Sequence, residues 1–248
     1  APMPTVQLAW AFILAHFRKV RENSARLKAD PASWYPVGIE NQPESLSGKT
    51  LGLIGLGGMG SAVARIALLF GMNVIAYSLN LDQSRCDAVD ASIQCAPDLK
   101  HVMANSDVVV VCYRVNEKTR HMINEEALQY MKKDALLVNV SRGALVDEPA
   151  LIRAVDAKQV GAVALDVFEE EPLPKDHPFR SERRYGDRVM ISSHCGGFVK
   201  QVYELWYRQS MENIYFWLRG TPIRVTTPSH PRVKASEEEL ELTASIYK

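Results

Sequence analysis

The sequence is poor in the features that would assign it to several large protein classes. Only four of its 248 residues are cysteines, Cys86, Cys95, Cys112 and Cys195. None forms a CxxC pair, and Cys112 sits in an apolar run. The chain is long enough to bury a core without covalent staples, so reduced thiols and an intracellular, cytoplasmic setting are expected. The same scarcity of Cys and His clusters leaves no motif for a metal site, and none is expected. There is no excess of either charge, with 29 Lys+Arg against 29 Asp+Glu. That balance provides no electrostatic footprint for nucleic acid or an anionic membrane, and neither is expected as a partner. No internal repeat is found. No hydrophobic run is long enough to span a bilayer. The most apolar stretch, LAWAFILAHF at Leu8–Phe17, is short, contains His16 and runs into Arg18-Lys19. It lacks a basic leader segment, so a buried helix is the better reading than a signal peptide.

What is present is ordinary globular material, 47% hydrophobic and 23% charged. A helix is expected from Thr5 to about Ala29, apolar nearly all round in its first half and charged in its second. Asp30-Pro31 should end it, and the proline-rich stretch 31–47 reads as a loop. From Gly48 onward, short β-rich runs alternate with helical ones. Strands are expected at Thr50–Ile54, Met72–Tyr77, Val108–Cys112, Ala135–Val140, Val160–Leu165 and Arg188–Ile191, with a weaker one at Ser92–Cys95. Helices include Met59–Phe70, Glu125–Met131 and Glu148–Ala157. Most of the strands are continuous apolar runs, as expected for a sheet covered on both faces. The alternation predicts an α/β fold, a doubly wound parallel sheet of the Rossmann type. A second long helix, rich in aromatics, is expected at Phe198–Arg219, stopped by Gly220. The expected organisation is a helix and linker over 1–44, the dinucleotide domain over 45–197, a returning helix over 198–220 and an extended arm over 221–248.

Gly55-Leu56-Gly57-Gly58-Met59-Gly60 matches GxGxxG, placed directly between the strand TLGLI and the helix that follows. That context gives the motif its weight as a dinucleotide site. The first glycine permits a tight turn, the second lets the backbone approach a pyrophosphate, and the third lets helix pack on strand. The free N–H groups of the helix N-terminus suit the phosphates. The next strand ends at Ser78, where an NAD-preferring fold usually offers Asp or Glu to the ribose hydroxyls. The missing carboxylate tilts the reading slightly toward NADP, with Arg85 the nearest cation, but NAD or NADP both remain open. Ser78 could instead simply cap the following helix.

Three polar groups follow strand ends on the later half of the sheet: Arg142 in VNVSRG, Glu171 in ALDVFEEEP and His194 in SSHCGG. The segments IGLGGMG, VNVSRGALVDEPAL, ALDVFEEEPLP and SSHCGG, in this order, resemble the D-isomer-specific 2-hydroxyacid dehydrogenase family. The resemblance runs from about Thr5 to Pro222. It implies reversible hydride transfer between NAD(P)H and a small 2-oxo acid, glyoxylate- or hydroxypyruvate-like or larger. It implies His194 as the acid/base, Glu171 as its partner and Arg142 as the residue that binds the substrate carboxylate. A histidine suits the first task because its ordinary titration lies near neutrality. A planar guanidinium suits the last. The cofactor-binding residues implied are Gly55, Gly57, Gly58, Met59, Gly60, Ser78, Tyr113, Thr119, Val140, Ser141, Arg142, Asp166, His194, Gly196 and Gly197. Gly58 stands where an arginine is common in the family, and Tyr113 is a smaller departure. Cys195 is read as packing.

The resemblance also implies that the helices at Thr5–Val20 and Phe198–Arg219 cross to and from a substrate domain, most of which would lie outside this sequence. Self-association as a homodimer is expected, because LAWAFILAHF is too apolar to stand in water. Three functions are carried forward: a hydride-transferring enzyme, a corepressor-like dinucleotide-binding protein, and a truncated product that binds cofactor without turnover.

Overall fold

The computed structural model describes residues 3–30, 32, 34, 38 and 42–225. The described chain divides into two compact units, with the boundary between Gly197 and Phe198.

The first unit is built on seven parallel strands. They are β1 (Thr50–Ile54), β2 (Asn73–Tyr77), β3 (Gln94–Cys95), β4 (Val108–Val111), β5 (Leu136–Asn139), β6 (Ala162–Leu165) and β7 (Val189–Ile191). The sheet order is β3-β2-β1-β4-β5-β6-β7, with every neighbouring pair parallel. This is the doubly wound sheet expected from the sequence, and its order reverses between β1 and β4. The helices are α1 (Met3–Arg18), α2 (Val20–Ala29), α3 (Gly58–Leu69), α4 (Gln83–Asp87), α5 (Leu99–Asn105), α6 (Glu125–Gln129), α7 (Glu148–Asp156), α8 (Glu182–Tyr185) and, in the second unit, α9 (Lys200–Leu218).

The apolar strands follow from burial on both faces. Leu51, Leu53, Val108, Val110, Leu136, Val138, Ala162 and Ala164 point into one core cluster, with residues of α1 and α3. The intervening Ile54, Val109, Val111, Leu137, Val163 and Leu165 point into a second, beneath α5, α6 and α7. Period-two alternation is therefore present in direction but absent in polarity. The short helices begin on side-chain caps: Asp82, Asp98, Asn124 and Asp147 each accept from a backbone N–H three residues on.

The single helix expected over Thr5–Ala29 is in fact two. Lys19 takes a left-handed conformation, φ 48°, and separates α1 from α2. The reason is visible in burial. The buried positions Val6, Ala9, Trp10, Ile13 and Phe17 recur at helical spacing along α1, whereas α2 buries nothing. The helix turns where its apolar face runs out. α1 packs on α3 and reaches β5. Truncating the fully buried Ile13 to alanine would cost about 2–5 kcal/mol.

In the second unit, α9 starts at the N-cap Val199. Phe198 stacks on Tyr203 at 5.7 Å, a hydrophobic staple across the first turn. Its end is a Schellman motif. Gly220 has φ 76°, its N–H donates to the Trp217 carbonyl, and the Thr221 N–H donates to the Phe216 carbonyl. Gly220 thus stops the helix as its position in the sequence implies. The arm read over 221–248 lies, from residue 226 onward, outside the described residues.

Among the described residues no helix is long and apolar enough to cross a membrane. No group of three or more His, Cys, Asp or Glu residues among them is placed to hold a metal ion.

Candidate active site

In a parallel sheet, the loops that leave the carboxyl ends of the strands gather on one side. Here they surround a groove of about 1010 Å³. Its floor is the glycine loop after β1. Gly55 has φ 103°, and a Cβ there would lie 2.6 Å from the Cys112 carbonyl. Only glycine meets both conditions. A Cβ on Gly60 would lie 2.0 Å from the Gly55 carbonyl oxygen, so the first turn of α3 rests directly on the loop. Gly57 and Gly58 face open space. Gly57 is the N-cap of α3, and no side chain caps that helix. The uncapped N–H groups, the absent side chains and the groove above them suit a pyrophosphate. A dinucleotide therefore fits the residues present.

Ser78, just after β2, accepts from the Leu56 N–H at 3.3 Å, and the Gly55 N–H donates to the Tyr77 carbonyl. Ser78 thus holds the glycine loop. The cap of α4 is Asp82, not Ser78, which removes the alternative reading of that serine. Tyr113 lies against Gly55, and its hydroxyl accepts from the Leu79 N–H at 3.0 Å. Gly55, Gly57, Gly58, Met59, Ser78, Tyr113, Val140, Ser141 and Arg142 all line the groove. So do Thr5, Asn80, Arg85, Arg114 and Asn116. Arg85 was noted in the sequence only as the nearest cation, and the other four carried no distinguishing motif. Asn80, Arg114 and Asn116 follow strand ends, the one signal that could have found them. Thr5 comes from α1, and nothing in its local sequence marks it.

Other candidates are placed elsewhere. Gly60 lies beneath the loop. Thr119 is fully buried, and its hydroxyl donates to the Arg114 carbonyl at 2.8 Å and accepts from the Asn116 N–H at 2.8 Å. It shapes the turn after β4 rather than a groove wall. Asp166 is also buried. Its carboxylate accepts from the Ser192 hydroxyl at 2.5 Å, the Cys195 N–H at 2.9 Å and the Gly196 N–H at 2.8 Å. The Asp166 carbonyl accepts from the His194 N–H. This one residue stitches the loop after β7 to the end of β6. A Cβ on Gly196 would press on the Asp166 carboxylate and on Thr5 and Leu8 of α1, so this loop also seats on α1. Gly197 faces open space.

The stitched loop presents His194 in a left-handed conformation, φ 53°. Its Nδ1 lies 2.5 Å from Glu171 Oε2. The other oxygen of Glu171 accepts from the Phe168 N–H at 2.9 Å. Burial pushes the Glu171 carboxyl up. Hydrogen bonds from His194 and the Phe168 N–H, with the charges of His194 and Arg142, outweigh that and leave it below the ordinary glutamate value. The pair is about one-third exposed, so the imidazole remains open to a reactant. Arg142 follows β5, with its Nη1 donating to the Ser141 carbonyl at 2.6 Å. The Asn139 side chain braces that loop, donating to the Arg142 carbonyl and accepting from the Ser141 N–H. A Cβ on Gly143 would lie 1.9 Å from the Phe168 carbonyl oxygen, so the loops bearing Arg142 and Glu171 touch backbone to backbone.

Known proteins show the same arrangement of sequence and fold. The glyoxylate reductase of Aeropyrum pernix is 34% identical over 224 residues, covering 87% of this chain and 63% of that protein. The D-3-phosphoglycerate dehydrogenase of Methanocaldococcus jannaschii is 34% identical over 233 residues, covering 92% of this chain and 42% of that protein. A crystal structure of a D-3-phosphoglycerate dehydrogenase from Ralstonia solanacearum, itself described as putative, superposes with a TM-score of 0.80 at 29% identity, over 92% of this chain and 67% of that one. D-lactate dehydrogenase from Aquifex aeolicus, solved with NAD and lactic acid, superposes with a TM-score of 0.76 at 26% identity, over 89% of this chain and 68% of that one. This chain therefore spans less than two-thirds of the length of the curated relatives it matches. The family description "D-isomer specific 2-hydroxyacid dehydrogenase, NAD binding domain" matches residues 10–196. The chain belongs to that family and carries its NAD-binding domain.

Proposed function

We infer that the chain serves reversible reduction of a small 2-oxo acid to the 2-hydroxy acid at the expense of NAD(P)H. The observation that carries this reading is the His194–Glu171 contact at 2.5 Å, at the side of the sheet where the glycine loop opens its groove. The bound nicotinamide would supply or accept the hydride. The protein's own residues do the rest. Glu171 holds the Nδ1 edge of His194, which leaves Nε2 to give a proton to the carbonyl oxygen in reduction and to take it back in oxidation. The carboxylate stabilises the imidazolium in each cycle. Arg142 offers a planar fork to the substrate carboxylate. Its charge also favours ionised Glu171. Asp166 acts through the loop it stitches, keeping His194 in place.

The cofactor leans toward NADP. Ser78 brings no carboxylate to repel a 2′-phosphate, and Asn80 and Arg85 stand with it on the groove wall. The substrate is glyoxylate- or hydroxypyruvate-like or larger, and a homodimer in the cytoplasm is the expected setting. The relatives named glyoxylate reductase support the smaller substrates. The second reading is cofactor binding without turnover, supported by a glycine loop and groove that suit a dinucleotide whether or not a 2-oxo acid reacts.

The purified chain is titrated with NADH and NADPH by fluorescence, then given glyoxylate, hydroxypyruvate, pyruvate and phenylglyoxylate while cofactor absorbance is followed. Turnover that His194→Ala abolishes supports the enzyme. Binding without turnover supports the second reading. Binding of neither cofactor refutes both.

A further inference from the structure

Glu171 can serve His194 only if its own backbone is held. The loop that carries it, Phe168–Glu171, donates two successive backbone N–H groups to carboxylates. The Phe168 N–H goes to Glu171 itself. The Glu169 N–H goes to Oε2 of Glu148, at the first turn of α7, at 3.3 Å. The other oxygen of Glu148, Oε1, lies 3.1 Å from Nε2 of His177. His177 Nδ1 accepts from the Phe179 N–H at 3.2 Å, so the ring proton sits on Nε2 and faces Glu148. The His177 ring lies between Phe168 and Phe179, at 6.1 and 5.4 Å. The Glu148 and His177 side chains are only 15% and 9% exposed. A carboxylate this buried is costly to desolvate and is held by the hydrogen bonds it accepts. None of these contacts touches the groove.

We propose that Glu148 and His177 are positioning residues that fix the Glu171 carboxylate against His194 by clamping the backbone of the Phe168–Glu171 loop. The inference rests on the roles given above to Glu171 and His194. The clamp acts on the Nδ1 edge of His194. It keeps the Glu171 oxygen in place to accept from Nδ1, and so selects the tautomer in which Nδ1 carries the hydrogen and Nε2 does not. Phe168 also meets Gly143 beside Arg142, so a slackened loop loosens both groups that would handle the substrate.

Both oxygens of Glu148 face donors. Glu148→Gln therefore turns an amide NH2 toward one donor whichever way it is placed. His177→Phe keeps a ring between Phe168 and Phe179 but removes both hydrogen bonds. The test measures the ¹⁵N shifts of the His194 ring in the full chain, assigned with His194→Gln, at a pH where the ring is neutral. Glu171→Ala serves as the control. Circular dichroism checks folding, and fluorescence checks NADH affinity.

The expected result is an Nδ1–H ring in the wild type and mostly Nε2–H in Glu171→Ala. Glu148→Gln and His177→Phe should fall between these two, with NADH affinity within about two-fold of wild type. Their kcat on a 2-oxo acid should fall by about ten-fold or more, since misplacement of catalytic groups by an ångström can cost a hundred-fold. A wild-type tautomer in both folded variants, while Glu171→Ala changes, overturns the proposal whatever the rates do. A control that leaves the ring unchanged overturns the Glu171 assignment and this inference with it. If no 2-oxo acid is turned over at all, the proposed function fails, but the tautomer still decides the positioning role.

Discussion

Replacing Gly60 with alanine should separate two jobs that the glycine loop performs. The added Cβ would sit 2.0 Å from the Gly55 carbonyl oxygen, whereas ordinary contact begins near 3.4 Å. Nothing on the loop side can rotate away, because the obstacle is backbone. Helix α3 must therefore move by more than 1 Å relative to β1, against a core that includes the fully buried Val63, Ala64 and Ala67. Overpacking of this kind costs about 1–3 kcal/mol, and a backbone obstacle puts it at the upper end. Alanine returns up to about 1 kcal/mol as the better helix former. A net loss of about 2 kcal/mol remains, a fall in melting temperature of roughly 4–8 °C for a chain of this size. Gly58→Ala makes a matched control, because a Cβ there meets nothing within 4 Å. Its stability should stay within about 0.5 kcal/mol of wild type. Thermal unfolding followed by circular dichroism reads both variants, and NADH titration follows. Cofactor affinity should fall in Gly60→Ala, as the phosphate-facing N–H groups shift with the helix. A Gly60→Ala protein as stable as the wild type would refute the claim that this glycine sets the distance between strand and helix.

Four further outcomes are expected. Asp166→Ala leaves two backbone N–H groups without their acceptor and should lower stability by about 2–4 kcal/mol in urea unfolding, with loss of turnover. Arg85→Ala should weaken NADPH about ten-fold while NADH changes little, read by fluorescence titration; equal loss for both cofactors would remove Arg85 from the 2′-phosphate role. The Glu171 carboxyl lies below its ordinary value when folded, so its contribution is present above the unfolded glutamate value and is lost as pH falls through the folded one. Melting temperature should therefore fall less steeply on acidification in Glu171→Gln than in the wild type. Burial pushes the Cys86 and Cys112 thiols up to about 12, so iodoacetamide near neutral pH should label the exposed Cys195 before either, read by peptide mass spectrometry.

Much of the sheet was legible because burial on both faces writes itself into continuous apolar runs. Thr50–Ile54 is matched residue for residue, and the other strands are trimmed by one or two residues at one end or, for Ala135–Val140, at both. The break at Lys19 was not legible. No glycine or proline marks it, and the turn is set by where α1 stops finding core to cover. The glycine loop could be read because its conformation and its contacts demand glycine at fixed spacing. Asn80 and Arg114 carry only the weak signal of following a strand end, and Thr5, arriving from the distant α1, looks like an ordinary polar residue locally. The buried role of Thr119 was hidden for a similar reason: the sequence shows a hydroxyl but not the turn that consumes it.

Helix α1 extends about 24 Å over its sixteen residues. Near its start, Thr5 lines the groove, and Thr5 with Leu8 bears on Gly196, two residues from His194. Near its end, the Phe17 carbonyl accepts from the Glu44 N–H, and Lys49 lies over the Phe17 ring, just before β1 begins. Phe17 and Lys49 therefore mark the end of α1 opposite the groove, and a probe placed there would show whether filling the groove shifts the helix as a rod.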